Sequence, residues 1–410
     1  MSGPRDLVDR VRAALGNDIP PAIGIAVSGG GDSLALMDLL HKALELEGTR
    51  LRAATVDHGL RPEAADEARH AGQIAAQLGI PHDVLSWDGT KATSNMQDAA
   101  RQARYRLLTE WAAAHDLPTI ALGHTRDDQA ETVLMRLGRA AGVDGLSAMA
   151  PRRVEGGVEL LRPLLDISRE DLRAHLGAQG IAWCDDPSND DPRFERVRVR
   201  QAIRTLAPLG IDSAALAQVA GNMARSRAAL DWAVTRAAHG IVSVDAGDLL
   251  FDRAGLSSLP EELARRLFAR AVAWIAGDTY PPRRTPLMAL VAAAIRGEQT
   301  TLGGCRLLQT GDTARLCRER QAVEELESRT DAVWDGRWRL TGPYDDKLRI
   351  RALGDEGLKA CKAWRETGRP RDALVASPAV WKGDRLVAAP LAGLENGWQA
   401  VCDTRGAFLR

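Results

Sequence analysis

Between an apolar run, Ala22–Val27, and a stretch of helical spacing stands the string Ser28-Gly29-Gly30-Gly31-Asp32-Ser33. Three successive glycines let the backbone take positive φ and approach a ligand closely. Their N–H groups, with the positive end of the helix that follows, form a cradle for an anion. Ser28 and Ser33 add hydroxyl donors, while Asp32 at the helix start either holds Mg²⁺ or caps the helix. The string lacks the Gly-Lys-Ser/Thr ending of a Walker loop and the glycine spacing of a dinucleotide fold. A second string is Gly123-His124-Thr125-Arg126-Asp127-Asp128-Gln129-Ala130-Glu131-Thr132. Asp128 and Glu131 are three apart, so on a helix their carboxylates share one face. They suit a clamp for cationic groups, and equally the compensation of a helix dipole. His124 stands at a strand end, placed for acid/base work or a phosphate contact, or simply buried there. Three more strings follow the same logic: Thr55-Val56-Asp57-His58-Gly59-Leu60-Arg61, Arg162-Pro163-Leu164-Leu165 and Trp183-Cys184-Asp185-Asp186-Pro187-Ser188-Asn189. Then Arg193, Arg196, Arg198, Arg200 and Arg204 fall within twelve residues, opposed only by Glu195. Such a run is a solvated face or a phosphate-binding stripe.

These residues need a scaffold, and the pattern supplies one. Strands are expected at 22–27, 52–56, 82–85 and 119–122, with helices over 33–47, 62–78, 95–115 and 127–139. Strand–helix alternation at this spacing implies crossovers and a parallel sheet covered on both faces. Ligands of such sheets bind at the carboxyl ends of the strands, so the loops beginning at Ser28, Asp57 and Gly123 should face one crevice. After about residue 205 the chain becomes Ala/Arg/Leu-rich and mostly helical, over 207–240 and 259–295. Residues 299–318 alternate like a hairpin around Gly311-Asp312, and a tail carrying Trp334, Trp338, Trp364, Trp381 and Trp398 reads as β-rich. The expected architecture is α/β with a parallel-sheet domain over 1–205, a mainly helical one over 206–327 and a small β-rich one over 328–410.

Composition excludes several classes. The chain has 410 residues, 54 Lys+Arg against 55 Asp+Glu, and 45 % hydrophobic residues. That length favours two or three domains. No apolar run approaches the roughly 18–20 residues that cross a bilayer, so no integral membrane protein is expected. The opening MSGPRDLVDRVRAALG has no apolar signal core, which predicts a cytoplasmic protein. The five cysteines contain no C-x-x-C pair, which argues against a zinc ribbon, an iron–sulfur cluster and a disulfide scaffold. Six of the 54 cationic residues are lysines, leaving an excess of arginine that high-GC coding alone can produce.

The glycine string resembles the pyrophosphatase loop (PP-loop) of the N-type ATP pyrophosphatase superfamily, whose domain has the adenine nucleotide alpha hydrolase-like fold. Those enzymes adenylate a carbonyl oxygen with ATP, release pyrophosphate, and let a nitrogen or sulfur nucleophile displace AMP. The later strings, in their order along about residues 20–205, resemble those of the tRNA(Ile)-lysidine synthetase family. That family joins lysine, through its side-chain amine, to C2 of the wobble cytidine in the CAU anticodon of an isoleucine tRNA.

The resemblance implies ATP on Ser28, Gly29, Gly30, Gly31, Asp32, Ser33, Asp57 and His58, and Mg²⁺ on Asp32, with Asp127 a metal or nucleotide contact. It implies lysine on Asp128 and Glu131, catalytic roles for Asp32, Asp128 and His124, and tRNA or phosphate contacts from Arg162, Arg196 and Arg200. Implied partners are an isoleucine tRNA bearing CAU, L-lysine and ATP, with no membrane; a homodimer is compatible. Thr301-Leu302-Gly303-Gly304-Cys305 and the β-rich tail suit the family's appended tRNA-binding domains. One departure is visible. Arg196-Val197-Arg198-Val199-Arg200 stands where the family pattern has Arg-Asn followed by an arginine. Two alternatives remain: a tRNA thiolation enzyme of the same superfamily, which would need reactive cysteines or a cluster, and a nucleotide sensor that releases no pyrophosphate. Cys184 is the only cysteine in the first 300 residues.

Overall fold

In the computed structural model, β1 (Ala22–Ala26) is buried along its whole length, as a five-residue apolar strand must be when helices cover both of its faces. The structure describes residues 4–57, 59, 63–87, 96–184, 191–277, 282–402 and 408, so His58 and the segment 185–190 lie outside it. The chain divides into two units, Met1–Arg227 and Ala228–Arg410.

The first unit opens with α1 (Pro4–Leu15) and then alternates. After β1 come α2 (Gly31–Ala43), β2 (Arg50–Asp57), α3 (Glu63–Gln77), β3 (His82–Ser86), α4 (Met96–Ala114), β4 (Thr119–Leu122) and α5 (Arg126–Leu137). These match the expected elements within a few residues. The short α6 (Val143–Leu146) leads to a hairpin, β5 (Arg152–Glu155) with β6 (Val158–Leu161), and then to α7 (Arg169–Gln179), α8 (Glu195–Leu206) and α9 (Ser213–Ile241), in which the division between units falls.

The sheet order is β3-β2-β1-β4-β6-β5. Five strands are parallel, and only β5 runs antiparallel, on β6. The chain moves outward from β1 through β2 and β3, then crosses back to lay β4 on the other side of β1. That reversal opens a crevice between the carboxyl ends of β1 and β4, where neither crossover covers the sheet. Ala26 pairs with Leu122 in register, so the loops after them leave side by side.

Two apolar layers hold the sheet. Leu7, Val11 and Leu15 of α1 join Leu34, Leu36 and Leu40 of α2 and Leu172 and Leu176 of α7 on one face. Tyr105, Leu108, Trp111 and Ala112 of α4 cover the other. Each fully buried aliphatic side chain contributes about 1.5–3 kcal/mol, so the layers are more than enough to fix the strand ends.

The second unit contains an antiparallel sheet in the order β7 (Val242–Asp245), β8 (Asp248–Asp252), β11 (Thr313–Arg318), β10 (Cys305–Thr310) and β9 (Thr300–Leu302). After α10 (Arg253–Ser257), helices α11 (Glu261–Ala276) and α12 (Arg284–Arg296) pack on it, with Phe251 stacked on Phe268 at 4.6 Å. The hairpin expected around Gly311-Asp312 is the β10–β11 pair. The tail forms a four-stranded sheet and a two-stranded ribbon around Trp334, Trp338, Ile350, Val380 and Trp398. An ion pair ties it to the five-stranded sheet, Arg369 reaching Asp245 at 2.9 Å, and within that sheet Arg315 reaches Asp245 at 2.7 Å and Asp248 at 2.8 Å.

Candidate active site

The glycine string begins where β1 ends. Val27 still donates to Ala54 O at 2.9 Å, and the chain then turns. Gly29 has φ +79°, and a Cβ there would lie 2.9 Å from the Glu67 carbonyl oxygen, so this position excludes any side chain. The Ser28 N–H donates to Ser33 Oγ at 3.0 Å, and Ser33 Oγ donates to Gly30 O at 2.9 Å, closing the loop on the first turn of α2. Gly30 is the N-cap of α2 and offers no side chain to its first N–H groups. The first N–H groups of α2 thus lack a side-chain acceptor, as an anion cradle requires. Residue Gly123, leaving β4, passes so close that a Cβ on it would meet Ser33 N and Asp32 O at 3.2 Å. The sheet thus brings the two motifs into contact.

Beyond Gly123, Thr125 caps α5 reciprocally. Its backbone N–H and its hydroxyl both donate to Asp128 Oδ2 at 2.8 Å, and the Asp128 N–H returns to Thr125 Oγ1 at 3.4 Å. Asp128 and Glu131 are both buried, on the same side of α5. Asp128 Oδ2 thus serves the helix cap, while its Oδ1 accepts from Arg169 at 3.2 Å.

The residue that joins the motifs is Arg169, the first residue of α7. Its Nε donates to Asp32 Oδ2 at 3.0 Å, its Nη2 to Asp128 Oδ1 at 3.2 Å, and its Nη1 lies 3.5 Å from Glu131 Oε1. The Arg169 backbone N–H donates to Asp127 Oδ2 at 2.8 Å, so Asp127 caps α7. Farther along, His175 meets Asp38 at 2.6 Å, and Lys42 meets Asp38 at 2.7 Å and Gln179 at 2.8 Å, pinning α7 along α2.

The arginine run divides by its contacts. Arg196 and Arg200, four apart on α8, turn toward the site: Arg200 Nε donates to Glu131 Oε1 at 3.0 Å, and Arg196 Nη1 lies 3.7 Å from Asp128 Oδ1. Arg193 instead pairs with Asp191 and Arg198 with the Pro192 and Arg193 carbonyls, while Arg204 is exposed. Arg162 is buried, donates to Ala150 O at 2.7 Å, and leaves its Nε without a partner.

A cleft of about 210 Å³ opens at the carboxyl ends of β1 and β2, lined by Ala26, Val27, Ser28, Thr55, Val56 and Arg104 among others. Its walls are mostly apolar, with the loop serine at one edge, which suits a planar base with a polar tail. Asp57 follows directly on Val56 and accepts the Gly59 N–H at 2.8 Å, shaping the turn at the cleft's rim.

The electrostatics follow from burial and from this ring of cations. Burial pushes Asp32 up despite Arg169 beside it. Burial would do the same to Asp128, but the Arg169 charge and the Thr125 donors outweigh it and hold Asp128 below its ordinary value. Burial would lower Arg169, yet Asp128, Asp32 and Glu131 raise it above arginine's usual range. Burial drives His124 down to about 3, so at neutral pH it is an uncharged imidazole that donates or accepts a hydrogen bond and supplies no proton. Between pH 6.5 and 3 the unfolded chain therefore binds a proton at His124 that the folded chain refuses. Stability should fall as pH drops through that window. His124→Gln should flatten the acid limb of a urea-unfolding series by up to about 1.4 kcal/mol per pH unit, and an unchanged limb would place His124 in water.

A hard cation such as Mg²⁺ fits the loop only in part. Among the described residues no group of three or more His, Cys, Asp or Glu side chains could hold a metal ion. Mg²⁺ brought by a triphosphate needs only one or two carboxylates, and Asp32 at the cradle is a suitable oxygen donor. Asp127 already spends Oδ2 on the α7 cap.

The structure brings together Ser28–Ser33, His124, Asp127, Asp128, Glu131, Arg196 and Arg200. Arg169 and Arg104 went unmarked in the sequence. Arg169 had a signal: Ser168 and Asp171 form the S-x-x-D start of an amphipathic helix, with Ser168 Oγ accepting the Asp171 N–H at 3.0 Å. Arg104 had none, because one arginine within α4 looks like any other until the helix is docked.

Residues 5–207 match a family model described as the PP-loop domain. The chain is 53 % identical over 402 residues to the tRNA(Ile)-lysidine synthase of Ruegeria pomeroyi, covering 98 % of this chain and 96 % of that one. It is 44 % identical over 313 residues to the enzyme of the same name from Rhodopseudomonas palustris, covering 71 % and 89 %. It is 37 % identical over 405 residues to that of Brucella anthropi, covering 93 % and 88 %.

Proposed function

The chain belongs to the tRNA(Ile)-lysidine synthase family, and on that premise we propose that it ligates L-lysine to C2 of the wobble cytidine in the CAU anticodon of an isoleucine tRNA, consuming ATP. The observation that supports this most is the meeting of Asp32, Asp128 and Glu131 on one guanidinium, which puts a phosphate cradle and an acidic clamp in a single crevice.

In the first step the amides of the glycine loop hold the triphosphate, with the adenine in the cleft between Ser28, Thr55 and Arg104. Bound Mg²⁺, held by Asp32, would neutralise phosphate charge and help pyrophosphate leave. The cytosine, already unpaired in the anticodon loop and so easily flipped out, presents O2 to the α-phosphorus. A bond forms from O2 to that phosphorus and the bond to pyrophosphate breaks. The uncharged His124 donates a hydrogen bond to a phosphoryl oxygen, a role that its low pKa permits and general acid catalysis does not.

In the second step lysine arrives as an ammonium ion, because its amine has a pKa of about 10.4. Asp128 and Glu131 receive it and take one proton. The free amine attacks C2, and AMP departs with the O2 oxygen. Holding three substrates in register supplies most of the acceleration. Arg196, half exposed beside Asp128, is placed for a phosphate of the anticodon, while Arg162 and Arg200 work from inside the protein. Residues 206–410 make the tRNA-body contacts that hold the anticodon over the crevice, in the cytoplasm where the tRNA pool lies.

The test is direct. Incubated with ATP, labelled lysine and an isoleucine tRNA transcript bearing CAU, the protein transfers label to that transcript and not to methionine tRNA. A folded preparation that leaves the isoleucine transcript unlabelled overturns the reading.

A further inference from the structure

Three carboxylates that the proposed reaction needs for two different substrates share a single arginine. Asp32 belongs to the nucleotide, Asp128 and Glu131 to lysine, and each takes one nitrogen of the Arg169 guanidinium, at 3.0, 3.2 and 3.5 Å. An incoming ammonium needs the same lone pairs on Asp128 Oδ1 and access to Glu131. The remaining oxygen of the pair, Glu131 Oε2, is buried without a hydrogen-bond partner, so the clamp is built to receive one more donor than it holds. The backbone cannot withdraw to make room, because Asp127 caps α7 at Arg169 and His175 and Gln179 fasten the rest of the helix to α2. Only the side chain can move.

We propose that Arg169 is a positioning residue through which nucleotide at the glycine loop admits lysine to Asp128 and Glu131. The inference rests on the lysine-ligating reading given above. Held by three anions, the guanidinium blocks the clamp. A triphosphate on the loop offers it a stronger anion, and a cation held by Asp32 would remove one of its three anchors. The guanidinium then turns toward the phosphates, frees Asp128 Oδ1 and uncovers Glu131, whose Oε1 stays with Arg200 while its unpartnered Oε2 takes the ammonium. Nucleotide and lysine thus bind with positive coupling. By linkage, lysine must tighten nucleotide binding by the same factor.

The experiment is equilibrium dialysis of labelled lysine against the full chain with isoleucine tRNA transcript, with and without Mg²⁺ and an ATP analogue uncleavable between the α and β phosphorus atoms. Wild type retains lysine about tenfold more tightly with the analogue. Arg169→Gln, confirmed as folded by its thermal melt, binds lysine equally in both arms. Arg169→Lys, whose ammonium reaches fewer carboxylates at once, keeps less than about threefold coupling and serves if the glutamine variant does not fold. Coupling below about twofold in wild type, including retention in neither arm, or full coupling in a folded variant, overturns the proposal. The same wild-type preparation is assayed for lysine transfer to the tRNA. Transfer without coupling removes this inference alone, whereas no transfer removes the reading beneath it.

Discussion

Asp32→Ala slows pyrophosphate release by about 10²–10³-fold while leaving tRNA affinity within about threefold. The carboxylate stands at the first turn of α2, beside the amides of the glycine loop, and is partly exposed to the crevice. Removing it takes away the hard oxygen ligand nearest the triphosphate. It also leaves Arg169 held by Asp128 and Glu131 alone. Both consequences lower turnover. Neither touches the tRNA body, whose binding is dominated by phosphate contacts spread over a large surface. Single-turnover pyrophosphate release and filter binding at fixed salt measure the two quantities. A variant that folds, adenylates normally and loses tRNA would reverse the division of labour between loop and appended regions.

The second large effect falls on stability. Glu131 is almost wholly buried, with Arg200 at 3.0 Å and Arg169 at 3.5 Å on the same oxygen. Glu131→Ala removes a buried anion that Arg200 and Arg169 share, leaving Arg169 to Asp32 and Asp128 and taking the Glu131 partner from Arg200, a change that costs about 3–5 kcal/mol when one partner of a buried pair is deleted. The thermal midpoint of the first unit should fall by on the order of 10 °C. Glu131→Gln keeps the volume and an acceptor, so it should cost far less stability and still weaken lysine use. The pair of variants separates a charge that holds the fold from a charge that holds a substrate. Equal melts for both would mean that water, not Glu131, compensates the arginines.

Much of this arrangement was legible in the linear chain because it depends on neighbours in sequence. The strand at 22–27 and the glycines after it are adjacent, so a buried strand followed by a turn without side chains was readable from neighbours alone. The α5 motif was readable for the same reason, since Thr125, Asp128 and Glu131 are fixed by one helical period. The strand ends drifted by a residue or two: β2 runs from Arg50 to Asp57 rather than 52–56, because its ends pair with β1 and β3 although Arg50 is exposed and Asp57 half-buried. The β5–β6 hairpin and α7 escaped notice. Their apolar faces are short, and packing against β4 and α2 stabilises them more than any periodicity of their own.

The chain by itself determined what chemistry was on offer: a phosphate loop, an acidic pair, a histidine at a strand end and a surplus of arginine. Each is a local property, set by residue type and by spacings of a few positions. Tertiary structure alone decided which arginines take part. Arg169 meets Asp32 across 137 residues, and Arg200 meets Glu131 across 69, distances over which no local rule orients a side chain. Arg198 shares the composition and the neighbourhood of Arg196 and Arg200, yet it turns to the Pro192 and Arg193 carbonyls because a helix presents only one side to the crevice, while Arg193 precedes α8 and Arg204 is exposed one turn beyond Arg200. Packing of α7 on α2 and of α8 on α5 chose among equivalent cations, and a choice made by burial and direction is not written in residue type.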